Sequence, residues 1–176
     1  MKNIETKISA IVLVGGDVDK SLLDTCLKSV SWCNEILKVE TKGVRGSFSE
    51  WRNFGAKKAK NNWILYVDAD EEITTLLKDE ISSEIELAEF SGYAIPRRNF
   101  IWGQEMKHCG LYPDYVVRFI KKNKFPRGDL FVMRNNFCRS DMRPFFNMIQ
   151  FISGNVFTST GIITKNNKPR KSPNNA

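Results

Sequence analysis

The sequence predicts an α/β fold, a mainly parallel sheet flanked by helices in the Rossmann-like manner, from three observations. Short apolar runs at 8–14 and 63–67 have the near-continuous hydrophobicity of strands buried on both faces. Segments with helical spacing of apolar residues alternate with them. Glycines, asparagines and a helix-capping signature fall at the junctions. Alternation of this kind marks β-α-β units around a sheet.

Ile8-Ser9-Ala10-Ile11-Val12-Leu13-Val14 reads as the first strand, ended by Gly15-Gly16. Leu22, Leu23, Cys26, Leu27 and Val30 then recur along one side of a helix over 20–32. Residues 35–40 form a short second strand, and 41–46 a glycine-containing loop. Ser47-Phe48-Ser49-Glu50 has the Ser-x-x-Glu form of a capping box, in which the two side chains serve each other's backbone N–H groups. It opens a helix running to about residue 60, with Phe48, Trp51, Gly55 and Ala59 along one side and Lys57, Lys58 and Lys60 exposed. Asn61-Asn62 ends it. Trp63-Ile64-Leu65-Tyr66-Val67 is the third strand. Ile73, Leu77, Ile81 and Ile85 recur every fourth residue in a helix capped by Thr74 or Thr75. Glu71 and Glu72 read as acids at its start, favoured by the helix dipole. Residues 92–102 and 115–120 look extended.

The chain has 176 residues, enough for one domain with its own core. Lys and Arg total 27 against 20 acidic residues, a formal net charge of +7. That excess suits diphosphates, phospholipid surfaces or nucleic acid. The charge is segregated: 68–89 is acidic, whereas 97–143 and the segment after 164 are basic. Cys26, Cys33, Cys109 and Cys138 are scattered without a Cys-x-x-Cys pair, which argues for reduced, mostly buried thiols. Glu5 precedes the first apolar run and no small-residue cleavage site follows it, so the run reads as a strand and not a signal peptide. No apolar run reaches the ~18 residues of a membrane span. The expectation is a cytoplasmic protein. The apolar segment 145–152, flanked by Arg139 and Arg143, suits either peripheral contact with the inner membrane surface or packing against the sheet.

Asp68-Ala69-Asp70 directly follows the third strand. Ligands of open parallel sheets collect beyond the carboxyl ends of the strands. Residues two apart in extended backbone point the same way, so Asp68 and Asp70 can project together. Their hard oxygens suit Mg²⁺ or Mn²⁺ bridging a diphosphate. Such triplets also occur in turns, where the carboxylates cap a following helix.

The run Trp63-Ile64-Leu65-Tyr66-Val67-Asp68-Ala69-Asp70-Glu71-Glu72 resembles the "dWiLslDADE" segment of glycosyltransferase family 2, in the branch similar to lipopolysaccharide-core β-glucosyltransferases. Three further segments match in the family's order. Arg52-Asn53, ahead of Gly55, Ala56 and Ala59, resembles its "RN-x-a" helix. Gly92-Tyr93-Ala94-Ile95-Pro96-Arg97-Arg98-Asn99 resembles "GY-x-ipR-x-N". Gly110-Leu111-Tyr112-Pro113-Asp114-Tyr115-Val116-Val117-Arg118-Phe119 resembles "GwyPDyqlRlf". The resemblance covers 8–125. It implies a GT-A fold, a nucleotide-diphospho-sugar donor and inversion at the anomeric carbon by direct displacement. It implies donor binding by Glu40, Arg52, Asn53 and Asp68, and a metal held by Asp70 with Asp68. Residues 1–125 would then be the nucleotide-sugar-binding domain, 126–163 a divergent acceptor-side region and 164–176 a disordered tail.

The chain also departs from the family. Val14-Gly15-Gly16-Asp17 stands where Thr-x-Asn-Glu is usual, and Glu40 where Asp is usual. No His-Glu pair follows Phe125, and His108 is the sole histidine. An inverting transferase needs a carboxylate to accept the acceptor's proton. Asp114, in the best-matched acceptor-side segment, is the first candidate; Asp129, near the missing pair, is the second and equally suits a turn. Arg97, Arg98 and Arg118 can clamp a phosphate or an anionic acceptor, or form a solvated basic face. Trp102 fits core packing or stacking on a sugar. The leading expectation is sugar transfer to a cell-envelope glycan or lipid-linked acceptor. The alternatives are an inactive remnant that still binds donor, favoured by the missing His-Glu, and a nucleic-acid-binding domain, disfavoured by the acidic edge and the absence of a recognised motif.

Overall fold

The computed structural model describes residues 7–87, 90–101, 104–106 and 114–124, and the backbone of strand segments 142–144, 149–153, 157–158 and 161–162. Trp102, His108, Cys109, residues 110–113, Asp129, Cys138, Arg139, residues 145–148 and the segment from 164 onward lie outside the described residues.

In chain order the elements are β1 (Ile8–Val14), α1 (Lys20–Ser29), β2 (Glu35–Glu40), α2 (Phe48–Lys58), β3 (Trp63–Asp68), β4 (Glu71–Ile73), α3 (Thr75–Leu87), β5 (Gly92–Ile101), β6 (Gln104–Glu105), β7 (Asp114–Lys121), β8 (Met142–Pro144), β9 (Ile149–Ser153), β10 (Phe157–Thr158) and β11 (Gly161–Ile162). The main sheet runs β2-β1-β3-β7-β5-β9-β4, with β6 and β8 also paired to β5. As the alternation of strands and helices predicts, β2, β1 and β3 are mutually parallel. β7 then enters antiparallel to both β3 and β5, while β8 and β9 run parallel to β5.

The apolar run of β1 explains the layering. All seven of its residues are buried, because both faces of the strand are covered. Ala10, Val12 and Val14 face a core completed by Cys26 and Val30 near α1 and by Leu77, Ile81 and Ile85 of α3. Ile11 and Leu13 face the opposite core, with Ala56 and Ala59 at α2, Val39, Ile64 and Tyr66. The result is an α/β structure with helices on both sides of its parallel strands. Trp63 anchors the first core, stacked on Phe119 at 4.6 Å with Tyr93 beside both. Burying each such ring contributes about 2–3 kcal/mol.

The capping box forms as its spacing predicts. Ser47 Oγ accepts from the Glu50 N–H, and the Glu50 carboxylate accepts from the Ser47 N–H at 2.6 Å. Three expectations need correction. Helix α1 ends at Ser29, not near Trp32, because Val30, Ser31 and Cys33 turn the chain through bonds to Cys26, Lys28 and Val30. Helix α2 ends at Lys58, since Ala59 leaves helical geometry with ψ 133°. Ile73, Glu71 and Glu72 do not belong to the start of α3: they form β4, paired with Phe151, Gln150 and Ile149 of β9. The helical spacing of Ile73 with Leu77 is a coincidence that a distant strand overrides. The 149–153 segment is accordingly a strand paired on both sides, with β5 and β4.

Gly55 lets α2 lie directly on β1. A Cβ there would sit 2.6 Å from Ile11 Cγ2 and 3.2 Å from Val39 Cγ2. Gly55→Ala should therefore destabilise the protein by about 1–3 kcal/mol through overpacking, despite alanine's better helix propensity of about 1 kcal/mol. A urea-unfolding midpoint equal to or above that of the parent chain would refute this close-approach account.

Candidate functional site

The parallel strands deliver their carboxyl ends to one edge. Val14 is level with Glu40, and Leu13 with Asp68. Two backbone bonds extend the ladder past the strands: Thr41 N–H to the Val14 carbonyl at 2.9 Å, and Ala69 N–H to the Leu13 carbonyl at 3.1 Å. The loop after β1 presses against the loop after β2, and a Cβ on Gly15 would meet Thr41 Oγ1 at 2.7 Å. Glu40 is exposed at this edge. The edge is thus a narrow rim made by Gly15, Glu40 with Thr41, and the Asp68–Asp70 turn.

Asp68 points to two arginines. Arg52, one turn into α2, donates from Nη2 to Asp68 Oδ1 at 2.9 Å and Oδ2 at 3.1 Å. Arg118 of β7 donates from Nη2 to Asp68 Oδ2 at 2.7 Å. The same Arg118 nitrogen donates to Glu71 Oε1 at 2.6 Å. Glu71 Oε2 accepts the Asp68 backbone N–H at 2.9 Å, closing the turn between β3 and β4. Beyond Glu71, Arg97 Nη1 lies 3.8 Å from Oε1. Arg97 then holds Asp114 Oδ2 from Nε at 3.0 Å and from Nη2 at 2.5 Å. Arg97 and Asp114 face each other across β5 and β7. Arg52, Asp68, Arg118, Glu71, Arg97 and Asp114 form one chain of alternating charge.

Burial grades this chain. The Glu71 side chain is 0% exposed and that of Arg118 4%, whereas Arg97 and Asp114 reach 26% and 30% at the outer end. Burial works to raise the Asp68 carboxyl, but Arg118 and Arg52 outweigh it and hold the group below the usual carboxylate range. Burial, aided by the charge of Asp68, raises Glu71 against the pull of Arg118. Burial would lower the Arg118 guanidinium, but Glu71 and Asp68 overcome that and raise it. Cys26 lies beneath, its Sγ donating to the Asp68 carbonyl at 3.5 Å, and burial pushes this thiol up to about 12.

A β-bulge makes Arg118 available to this chain. Tyr93 pairs with Phe119 and Ala94 with Val117, so Arg118 is the extra residue on β7. The neighbouring β3–β7 ladder spans Trp63–Lys121 to Leu65–Phe119, stopping just before Arg118. A bulge re-aims a side chain in this way. Arg118 is accordingly buried, with its Nη2 directed at Asp68 and Glu71. Arg98 lies apart from the chain, donating to Glu105 Oε1 at 2.6 Å. Asn53 is buried on α2 beside Arg52. Glu71, read from the sequence as a helix-start acid, is the central member. Its sequence signals were adjacency to the two aspartates and its place in the run that resembles the family's acidic segment.

Asp70 is different. No ion pair engages it among the described residues. Burial, then the charges of Glu71 and Asp68, raise its carboxyl to about 7. Among the described residues no group of three or more His, Cys, Asp and Glu side chains is arranged to hold a metal ion. Asp70 offers one carboxylate at this edge, and Asp68 a second that two guanidiniums already hold. No helix among the described residues is long and apolar enough to cross a membrane.

No protein-family model matches the chain. Solved structures similar to it include three of S. aureus TarS. The crystal structure of TarS 1-349 matches at 16% identity and TM-score 0.44, covering 53% of this chain and 36% of that one. The same TarS 1-349 in complex with UDP-GlcNAc matches at 16% and 0.46, covering 57% and 36%. A further TarS structure matches at 16% and 0.41, covering 56% and 22%. The chain spans 36% or less of the length of these structures. A likeness of this size assigns neither family nor activity to it.

The unmatched Asp70 has a consequence for stability. Its carboxyl rises from 3.8 in the open chain to about 7 in the fold. Between those values the native state holds a proton that the unfolded state has released, so this group's contribution to stability falls as pH rises through the window. Asp70→Asn should therefore stabilise the protein by about 1–2 kcal/mol above pH 7, a partial share of the shift because water still reaches the group. The gain should shrink toward pH 4. Urea unfolding of both chains at pH 8 and pH 4.5 measures it, and a loss of stability at pH 8 would contradict an unmatched carboxylate.

Proposed function

We propose that the chain is the donor-binding part of a metal-dependent, inverting glycosyltransferase. It would move a sugar from a nucleotide-diphospho-sugar to a cell-envelope glycan or lipid-linked acceptor on the cytoplasmic side of the membrane. One observation carries the reading: Asp70, a carboxylate without an ion-pair partner among the described residues, stands at the carboxyl end of the parallel strands. The resemblance of 63–72 to the family's acidic segment agrees with it.

Each residue has a task in this reading. Asp70 is the ligand for Mg²⁺ or Mn²⁺. Asp68, matched by two guanidiniums, is a fixed wall against the nucleotide and at most a shared ligand. A bound divalent ion would neutralise charge on the departing diphosphate. Glu40, exposed on the rim, meets the nucleoside. Arg118 is buried and holds the site together, which leaves Arg97, with its partly exposed guanidinium, to meet a phosphate or anionic acceptor. Asp114 takes the proton. The acceptor oxygen attacks the anomeric carbon opposite the diphosphate; the new C–O bond forms as the old one breaks, and the hydroxyl proton passes to the Asp114 carboxylate.

The acidic rim speaks against nucleic acid as the ligand of this edge. Thermal unfolding with UDP and other nucleoside diphosphates, with and without Mn²⁺, tests the donor half. Nucleotide and metal together should raise the midpoint, worth about 2.7 kcal/mol at a hundredfold excess over Kd, and Asp70→Asn should abolish the rise while staying folded. Unchanged Mn²⁺-dependent affinity in that variant removes Asp70 from the metal role.

The acceptor half has its own test. Asp114→Asn should keep nucleotide binding and lose transfer by about 100-fold or more. Transfer intact in the variant moves the role to Asp129. Donor binding with no transfer by the parent chain, across a broad panel of donors and acceptors, favours the inactive remnant.

A further inference from the structure

The alternating charges join two places that the proposed function keeps separate. Asp68 belongs to the donor end and Asp114 to the acceptor end, and Arg118, Glu71 and Arg97 connect them among the described residues. The links are hydrogen-bonded except the ion pair of Glu71 with Arg97 at 3.8 Å, and their centre is closed to water. A single oxygen, Glu71 Oε1, serves both Arg118 at 2.6 Å and Arg97 at 3.8 Å. A single nitrogen, Arg118 Nη2, serves both Asp68 and Glu71. Buried charges must stay matched, so a gain of charge at one member is absorbed by its neighbour re-pairing.

We propose that this chain couples the donor and acceptor ends, with Glu71 as its positioning residue: a cation and a diphosphate arriving at Asp70 loosen Arg97 from Asp114 and free that carboxylate for the acceptor. The inference rests on the donor reading given above. A positive ion beside Asp68, Asp70 and Glu71 takes over part of what Arg118 supplies. Glu71 Oε1 then turns further toward Arg97, whose guanidinium is the most exposed of the three. The incoming diphosphate draws on Arg97 as well. Both changes weaken its hold on Asp114 Oδ2. Without the Glu71 charge Arg97 has one carboxylate fewer to turn to, and it stays on Asp114. Glu71 touches no substrate in this scheme; it acts through the arginines.

NMR of the full chain tests this in two arms. The first uses no ligand: the Arg118 guanidinium signal is compared in the parent chain and in Asp114→Asn. It should move, since among the described side chains Glu71 and Arg97 connect the two, and the movement should vanish in an Arg97→Gln background. Both substitutions lie at the partly exposed end, and thermal unfolding of each variant verifies that it is folded. An Arg118 signal that ignores Asp114, or that responds equally without Arg97, overturns the coupling.

The second arm adds Mg²⁺ with UDP and follows the Asp114 side-chain carboxyl signal. It should shift on saturation, and at least about threefold less in Glu71→Gln. In turnover, Glu71→Gln should lower kcat about tenfold with donor KM changed no more than about threefold, the pattern of a lost transition-state arrangement. Bound UDP with a motionless Asp114 overturns the proposal. Failure of any nucleoside diphosphate to bind defeats the donor reading instead, and the ligand-free arm still decides whether the chain transmits.

Discussion

The pairing of Arg118 with Glu71 constrains everything around it. Both side chains are closed to solvent. An isolated buried charge is costly, and breaking such a pair by removing one member costs about 3–5 kcal/mol. The pair therefore cannot be satisfied loosely. It requires β7 to bring Arg118 in, β4 to bring Glu71 in, and the end of β3 to supply Asp68 as the second acceptor. Glu71 also holds the Asp68 backbone N–H, so the turn carrying Asp70 is fixed by the same carboxylate. Asp70 is presented where it is because its neighbours are committed elsewhere.

The fold supplies this geometry through two ordinary devices. Parallel strands β2, β1 and β3 bring their carboxyl ends level, and the two apolar layers lock them in register. The bulge on β7 then directs one arginine toward β3 and β4. The arrangement is closed to solvent at its centre and opens toward its rim, from Glu71 out to Asp114.

Much of this was legible in the residues. The apolar runs fixed β1 and β3, and Ser47 with Glu50 marked the start of α2. The position of Asp68 and Asp70 at a strand end followed from strand period and run length alone. What stayed hidden depends on distant partners. Glu71-Glu72-Ile73 looks like a helix entry until β9 pairs with it. Arg118 looks like an arginine available to a ligand until a register shift against Tyr93 and Ala94 turns it inward. The pairing of Arg97 with Asp114 needed the β5–β7 register, which neither strand encodes by itself. Local chemistry could name nearly every member of the site but not its partner.

The contrast between Asp68 and Asp70 bears on how such a sequence can change over generations. Asp68 is tied to two arginines, and losing it would take an acceptor from each of two buried guanidiniums. Selection for folding alone would preserve it, along with Glu71 and Arg118, in a lineage that had given up chemistry. Asp70 contributes no such ion pair, and its ionised form works against the fold. Relaxed selection would let Asp70 drift first. Its presence here, next to residues that folding would retain regardless, is the half of the motif for which folding alone gives no reason.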